Sequence, residues 1–205
     1  MKVLILAGSP RRKGNTNSLV KVFTDEAGKA AESSNVDIVC EVVNLYDLHI
    51  EPCVACRKCQ ADWNAPNCTI SDDLQGRAGA HMPGLFEKIL EADLIITATP
   101  IYSWYCTAPM KSLLDRCVYA LNKYYGDERG PSLWAEKRLA AIVTCGYPPD
   151  KGADIFEEGL MRYCMHSQLK YKGMLVERHM GYNIEFMDEE KEGHVREFAR
   201  ELILP

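Results

Sequence analysis

No apolar run in this chain approaches the roughly 20 residues needed to span a bilayer, so a membrane protein is not expected. Basic residues are not in excess. Lysine and arginine number 24 against 29 aspartates and glutamates, a net charge of −5, which offers nucleic acid or anionic lipid no general attraction. The opening Lys2-Val3-Leu4-Ile5-Leu6-Ala7 is too short for the core of a secretory signal, because it stops at Gly8-Ser9-Pro10 and runs into Arg11-Arg12-Lys13. Nine cysteines, an odd number, do not resemble a disulfide framework, and the expectation is a cytoplasmic protein with reduced thiols. Repeats, low-complexity tracts and linkers are lacking, so residues 1–205 read as one domain with one well-buried core. Two nucleotide fingerprints are missing as well: G-x-G-x-x-G for a dinucleotide and G-x-x-x-x-G-K-S/T for a triphosphate. His49, His81, His166, His179 and His194 are scattered, without paired spacing or a neighbouring nucleophile, and read as surface or structural residues.

What is present alternates. Short runs rich in β-branched residues at 3–7, 36–43, 94–99, 139–144 and 169–176 read as strands, and amphipathic segments at 16–31, 85–91, 109–122, 153–167 and 189–202 read as helices. Strands and helices in alternation predict an α/β fold, a doubly wound five-stranded parallel sheet with helices on both faces. Ligands of such sheets bind at the carboxyl ends of the strands.

Three strand-end loops carry unusual chemistry. Gly8-Ser9-Pro10-Arg11-Arg12-Lys13-Gly14-Asn15-Thr16-Asn17 lies between the first strand and the first helix, where small and hydroxyl residues, a helix N-terminus and basic side chains make a cradle for one phosphate monoester. After the third strand, Thr99-Pro100-Ile101-Tyr102-Ser103-Trp104-Tyr105-Cys106-Thr107-Ala108-Pro109 sets three aromatic residues and free backbone donors where they can flank a flat heteroaromatic ring. After the fourth, Thr144-Cys145-Gly146-Tyr147-Pro148-Pro149 offers a glycine that permits close approach and a tyrosine that can cover a ring edge.

Cys53-Val54-Ala55-Cys56-Arg57-Lys58-Cys59 and then Cys68 give the spacing C-x2-C-x2-C-x8-C, which can wrap three thiolates round one cluster and bring in a fourth. Zinc, or free and redox-active thiols, are the other readings of that spacing. Cys40, Cys106, Cys117 and Cys164 read as packing residues, and Asp72-Asp73 as carboxylates that complement a helix dipole.

The first loop, Pro100-Ile101-Tyr102, Met110-Lys111 and Asp115-Arg116 together resemble the NAD(P)H-dependent FMN reductase and iron-sulfur flavoprotein branch of the flavodoxin-like superfamily, over nearly the whole chain. The resemblance implies a flavodoxin-like sheet and FMN. It implies that Ser9, Arg11, Asn15, Thr16 and Asn17 hold the phosphate, and that Pro100, Ile101, Tyr102, Ser103 and Trp104, with Thr144, Gly146 and Tyr147 opposite, line the isoalloxazine ring. It further implies a 4Fe-4S cluster on Cys53, Cys56, Cys59 and Cys68 as the alternative to free thiols. Residues 69–74 follow the family pattern, whereas the long gap before Cys68 and an insertion over 75–83 depart from it.

The expected activity is an FMN-dependent oxidoreductase that passes electrons from NAD(P)H to a small-molecule acceptor, with flavin-centred chemistry and no catalytic side chain. The alternative is an iron-sulfur flavoprotein carrying electrons from a ferredoxin-like partner, and a third reading is a flavin-binding module without turnover. A homodimer or tetramer is implied by the resemblance alone.

Overall fold

The computed structural model describes residues 1–34, 37–68, 82–181 and 183–204. Five strands, β1 (Lys2–Ala7), β2 (Val39–Asn44), β3 (Leu94–Pro100), β4 (Arg138–Cys145) and β5 (Lys170–Arg178), make one parallel sheet in the order β2-β1-β3-β4-β5. That is the flavodoxin-like order. The helices are α1 (Asn15–Ser34), α2 (Met82–Glu91), α3 (Ala108–Leu121), a single turn α4 (Pro149–Gly152), α5 (Asp154–Ser167) and α6 (Glu189–Ile203). None of the described helices is long and apolar enough to cross a membrane.

Successive strand residues face opposite sides of a sheet, and this divides the core in two. Val3 and Ile5 of β1 belong with Leu19 and Phe23 of α1 and Val195 and Ala199 of α6. Leu4 and Leu6 belong with Phe86 of α2, Leu113 and Cys117 of α3, and Phe156 of α5. β1, β3 and β4 are apolar on both faces because both faces are covered, which is why they read as unbroken runs. β2 and β5 are edge strands with mixed exposure. Cys106 and Cys164 are packed inside, and burial pushes both thiols up to about 12.

Two boundaries differ from the pattern in ways that matter for function. β5 does not stop with its apolar residues but continues through Glu177 and Arg178, which pair with Thr144 and Cys145. The helix expected over 153–167 begins at Asp154, with α4 as a separate turn before it. The second strand begins at Val39; Val36, where it was expected to start, lies outside the described residues.

Candidate active-site cleft

Loops leave the carboxyl ends of β1, β3 and β4 side by side. In the first, Gly8 N donates to Ala98 O at 2.7 Å, and Gly14 N closes onto Arg11 O at 3.0 Å. The Asn17 side chain donates to the same Arg11 carbonyl at 2.8 Å. The loop is joined to the next: Thr107 Oγ1 donates to Gly8 O at 2.7 Å, while Thr107 N donates to Thr99 Oγ1 at 3.2 Å.

Charge is arranged to leave an anion seat. α6 opens with Glu189 and Glu190 behind an Asp188 cap, so its own side chains complement its dipole, whereas α1 has no carboxylate in its first turn. Arg12 is engaged by Asp47, but Arg11 has no ion pair among the described residues and lines the cleft. Ser9, Gly14, Asn15 and Thr16 line it too, with Pro100, Ile101 and Tyr102 from the second loop and Thr144, Cys145 and Gly146 from the third. Together with His179 they enclose about 240 Å³. Thr16 and Thr144 hydroxyls meet at 2.7 Å, and Ile101 N donates to Thr144 O at 2.8 Å, so the walls are bonded to each other.

A second cavity of about 220 Å³ shares Ile101, Cys145 and Gly146 with the first and adds Ser103, Trp104, Tyr147 and Gly152. Tyr102 and Tyr105 exchange backbone hydrogen bonds of 2.8 and 3.1 Å around Ser103 and Trp104, whose φ values are 50° and 62°. This is a two-residue hairpin with both central residues left-handed, where Asn-Gly is the usual choice. The Trp104 indole donates to Lys151 O at 3.1 Å and its ring stacks on Tyr147 with centroids 5.9 Å apart.

Ser9, Arg11, Asn15 and Thr16 thus line one cavity with Pro100, Ile101, Tyr102, Thr144 and Gly146. Asn17 instead shapes the loop, and Ser103, Trp104 and Tyr147 belong to the second cavity. His179, read from sequence as surface or structural, is on the cleft wall. Its backbone N–H donates to Cys145 O at 2.7 Å, because β5 runs two residues past its last apolar position. A strand end facing the switch in strand order is the signal that would have found it.

FMN suits these residues. The end of the cleft beside α1 has a helix N-terminus without a carboxylate in its first turn and one guanidinium, Arg11, without an ion pair among the described residues, which suits a phosphate. Gly146 has no left-handed φ that would demand glycine, and a Cβ there would meet nothing within 4 Å, so the open space beside it is available to a flat ring.

The cysteine loop packs against α3. Cys59 is buried in a 3-10 turn, Cys56 is exposed, and Ala55 and Arg57 take left-handed φ values of 53° and 60°. Burial raises the Cys59 thiol, and Cys68, Cys56 and Cys53 raise it further, against the lowering by Lys123. Arg116 donates to Cys68 Sγ at 3.2 Å and Lys123 to Cys59 O at 2.7 Å, and both cations are fully buried. Among the described residues no three histidine, cysteine or acidic side chains are gathered closely enough to hold a metal ion. Residues 69–81, which include the expected pattern over 69–74, most of the expected insertion over 75–83 and His81, lie outside the described residues.

Residues 1–162 match the family described as NADPH-dependent FMN reductase. An iron-sulfur flavoprotein of Methanocaldococcus jannaschii is 34% identical over 57% of this chain, an alignment that spans only about half (51%) of that relative. Another, from Archaeoglobus fulgidus, is 31% identical over 80% of this chain and 69% of its own length. An NAD(P)H:quinone oxidoreductase from Methanothermobacter marburgensis shares the fold with a TM-score of 0.71 at 20% identity, over 98% of this chain and 96% of that one. With that match over most of its length and the sheet order β2-β1-β3-β4-β5, the chain belongs to the NADPH-dependent FMN reductase family of flavodoxin-like, FMN-dependent oxidoreductases.

Proposed function

We propose that this protein binds FMN in the cleft between the first and third loops and uses it to carry electrons from NAD(P)H to a small-molecule acceptor. The observation that carries this reading is the anion seat formed by Arg11 and the bare N-terminus of α1, continuous with a slot lined by Ile101, Tyr102 and Gly146. Bound FMN supplies the two-electron chemistry. Ser9, Arg11, Asn15 and Thr16 hold the phosphate; Pro100, Ile101, Tyr102, Thr144 and Gly146 orient the ring; and Tyr102, Trp104 and Tyr147 at the mouth exclude water. Chemistry centred on the flavin asks no side chain of this cleft to act as acid or base. The test is an absorption spectrum of anaerobically purified protein with added NADPH or NADH. Bands at about 375 and 450 nm that bleach on adding reductant are expected, and a colourless protein that takes up no FMN would sink the reading.

A second reading is supported by the cysteine loop. The fully buried Lys123 donates to Cys59 O, and buried positive charge favours an anionic occupant beside it. A 4Fe-4S cluster on Cys53, Cys56, Cys59 and Cys68 would meet that description and make the protein a carrier for a ferredoxin-like donor. Iron and acid-labile sulfide at about four each per chain would establish it. Neither element present would leave these cysteines as thiols.

A further inference from the structure

Beside the cysteine loop lies a cavity of about 390 Å³, lined by Ala55, Arg57, Tyr119, Tyr124, Tyr125 and Arg129. It is separate from the cleft. Thr107, which bonds the first loop, caps the N-terminal end of α3, and Tyr119 stands in the last turn of that helix, a span of about 18 Å at about 1.5 Å per residue. The three tyrosine rings are held in place. Tyr119 and Tyr125 pack with centroids 5.5 Å apart, Tyr125 Oη lies 2.7 Å from His166 Nε2, and Tyr124 meets the same imidazole edge-on at 5.5 Å. Charge at the cavity is of one sign. No acidic residue lines it, and neither Arg57 nor Arg129 has an ion pair among the described residues, although Asp127 and Glu128 stand next to Arg129 in the chain.

Arg57 donates from Nη2 to Tyr125 O, which fixes one edge of the guanidinium and leaves its remaining N–H groups without a partner among the described residues. Its backbone is left-handed, with φ of 60°, and so is that of Ala55, with φ of 53°. Two strained residues other than glycine, kept at one cavity, are a pointer to use. We propose that this cavity binds a small aromatic anion, a flat ring bearing a carboxylate or a phosphate. Guanidinium groups take such oxyanions through paired N–H donors, so Arg57 and Arg129 select the anionic group. Two like charges with no carboxylate between them repel, and one shared anion relieves both. The volume exceeds what an oxyanion alone fills, and the tyrosine faces give a flat ring something to pack on. The site asks nothing of the neighbouring thiols and does not rest on the FMN reading.

The test is calorimetric titration of the full chain, saturated with FMN, with phenyl phosphate and with benzoate. At least one of the two is expected to bind at one molecule per chain, and which binds more tightly tells the two anionic groups apart. Inorganic phosphate, which lacks the ring, and phenol, which lacks the charge, should each bind at least about tenfold more weakly than the tighter probe, since each forgoes one half of the recognition. Arg129 is exposed, so Arg129→Gln leaves the core untouched; it should weaken the tighter probe about tenfold, the worth of one charge-assisted hydrogen bond. Arg129→Lys, which keeps the charge without the fork, should recover part of that loss. The flavin absorption spectrum should not change during the titration. No binding of either probe, binding that Arg129→Gln leaves unchanged, or inorganic phosphate as tight as phenyl phosphate would each overturn the assignment. A change in the flavin spectrum that tracks the isotherm would also overturn it, because it would put the probe in the cleft. If the protein takes up no FMN, the functional reading fails by itself, and the comparison of wild type with Arg129→Gln still decides this one.

Discussion

Ser103 and Trp104 stand in backbone conformations that glycine would occupy without strain, and the surrounding structure holds them there. Ser103→Gly is expected to stabilise the protein by about 0.5 to 1 kcal/mol, raising Tm by roughly 1 to 4 °C in a scanning calorimeter. No change, or a fall, would mean that the turn is relaxed as it stands. Arg11 is the guanidinium left over when Arg12 is taken by Asp47. Arg11→Ala should weaken FMN about tenfold to a hundredfold, the worth of one charge-assisted hydrogen bond, while riboflavin, which lacks the phosphate, should bind equally well to both proteins. Equal losses for the two flavins would place Arg11 away from the phosphate. Single residues of this kind were only partly legible in the sequence. Ser9, Arg11 and Thr16 were visible because strand, loop and helix follow each other directly; the separation of Trp104 from Tyr102 into another cavity depends on a φ angle that no motif records.

Among the elements, β5 and α6 are tied by His194, whose Nδ1 lies 2.8 Å from Oε1 of the buried Glu177. The hydrogen bond to Glu177 first, opposed by burial and helped by the charges of Glu177, Glu190 and Glu197, holds the imidazole's pKa above its ordinary 6.5. A pKa raised by folding stabilises the fold fully below about pH 6.5, and that contribution is lost as pH rises through the raised value. The histidine is half exposed, so the effect is screened and amounts to a few tenths of a kcal/mol. Denaturant melts of His194→Gln between pH 5.5 and 8.5 should therefore show a flatter profile than the wild type, and identical profiles would dismiss the pair as a contributor. Here too the sequence was uneven. β1, β3 and β4 were plain because two covered faces force continuous apolar runs, while β5 hid its last two residues because Glu177 and Arg178 carry no hydrophobic signal at an edge. His179 was missed for that reason and no other.

At the scale of the whole molecule, the cleft is built from segments more than a hundred residues apart, and a ligand that joins them stabilises all of them. FMN at about a hundred times its Kd should add about 2.7 kcal/mol to the unfolding free energy, visible as a Tm rise of several degrees that riboflavin does not match at equal concentration. A shift no larger with FMN than with riboflavin would argue that the phosphate seat is idle. The two-sided sheet that sets this geometry was readable from alternation alone, but the bonding between its loops was not, since Thr16 meets Thr144 and Thr107 meets Gly8 only once the strands are in order.

The Thr107 hydroxyl on Gly8 O makes the loop proposed to grip a phosphate and the loop proposed to flank a ring two sides of one jaw. A ligand held at both ends by a jaw behaves as a chelate does: once one end is seated, the other has already surrendered its freedom. Weakening the phosphate grip with Arg11→Ala and loosening the hinge with Thr107→Val should then be non-additive, the double variant losing less FMN affinity than the product of the single losses.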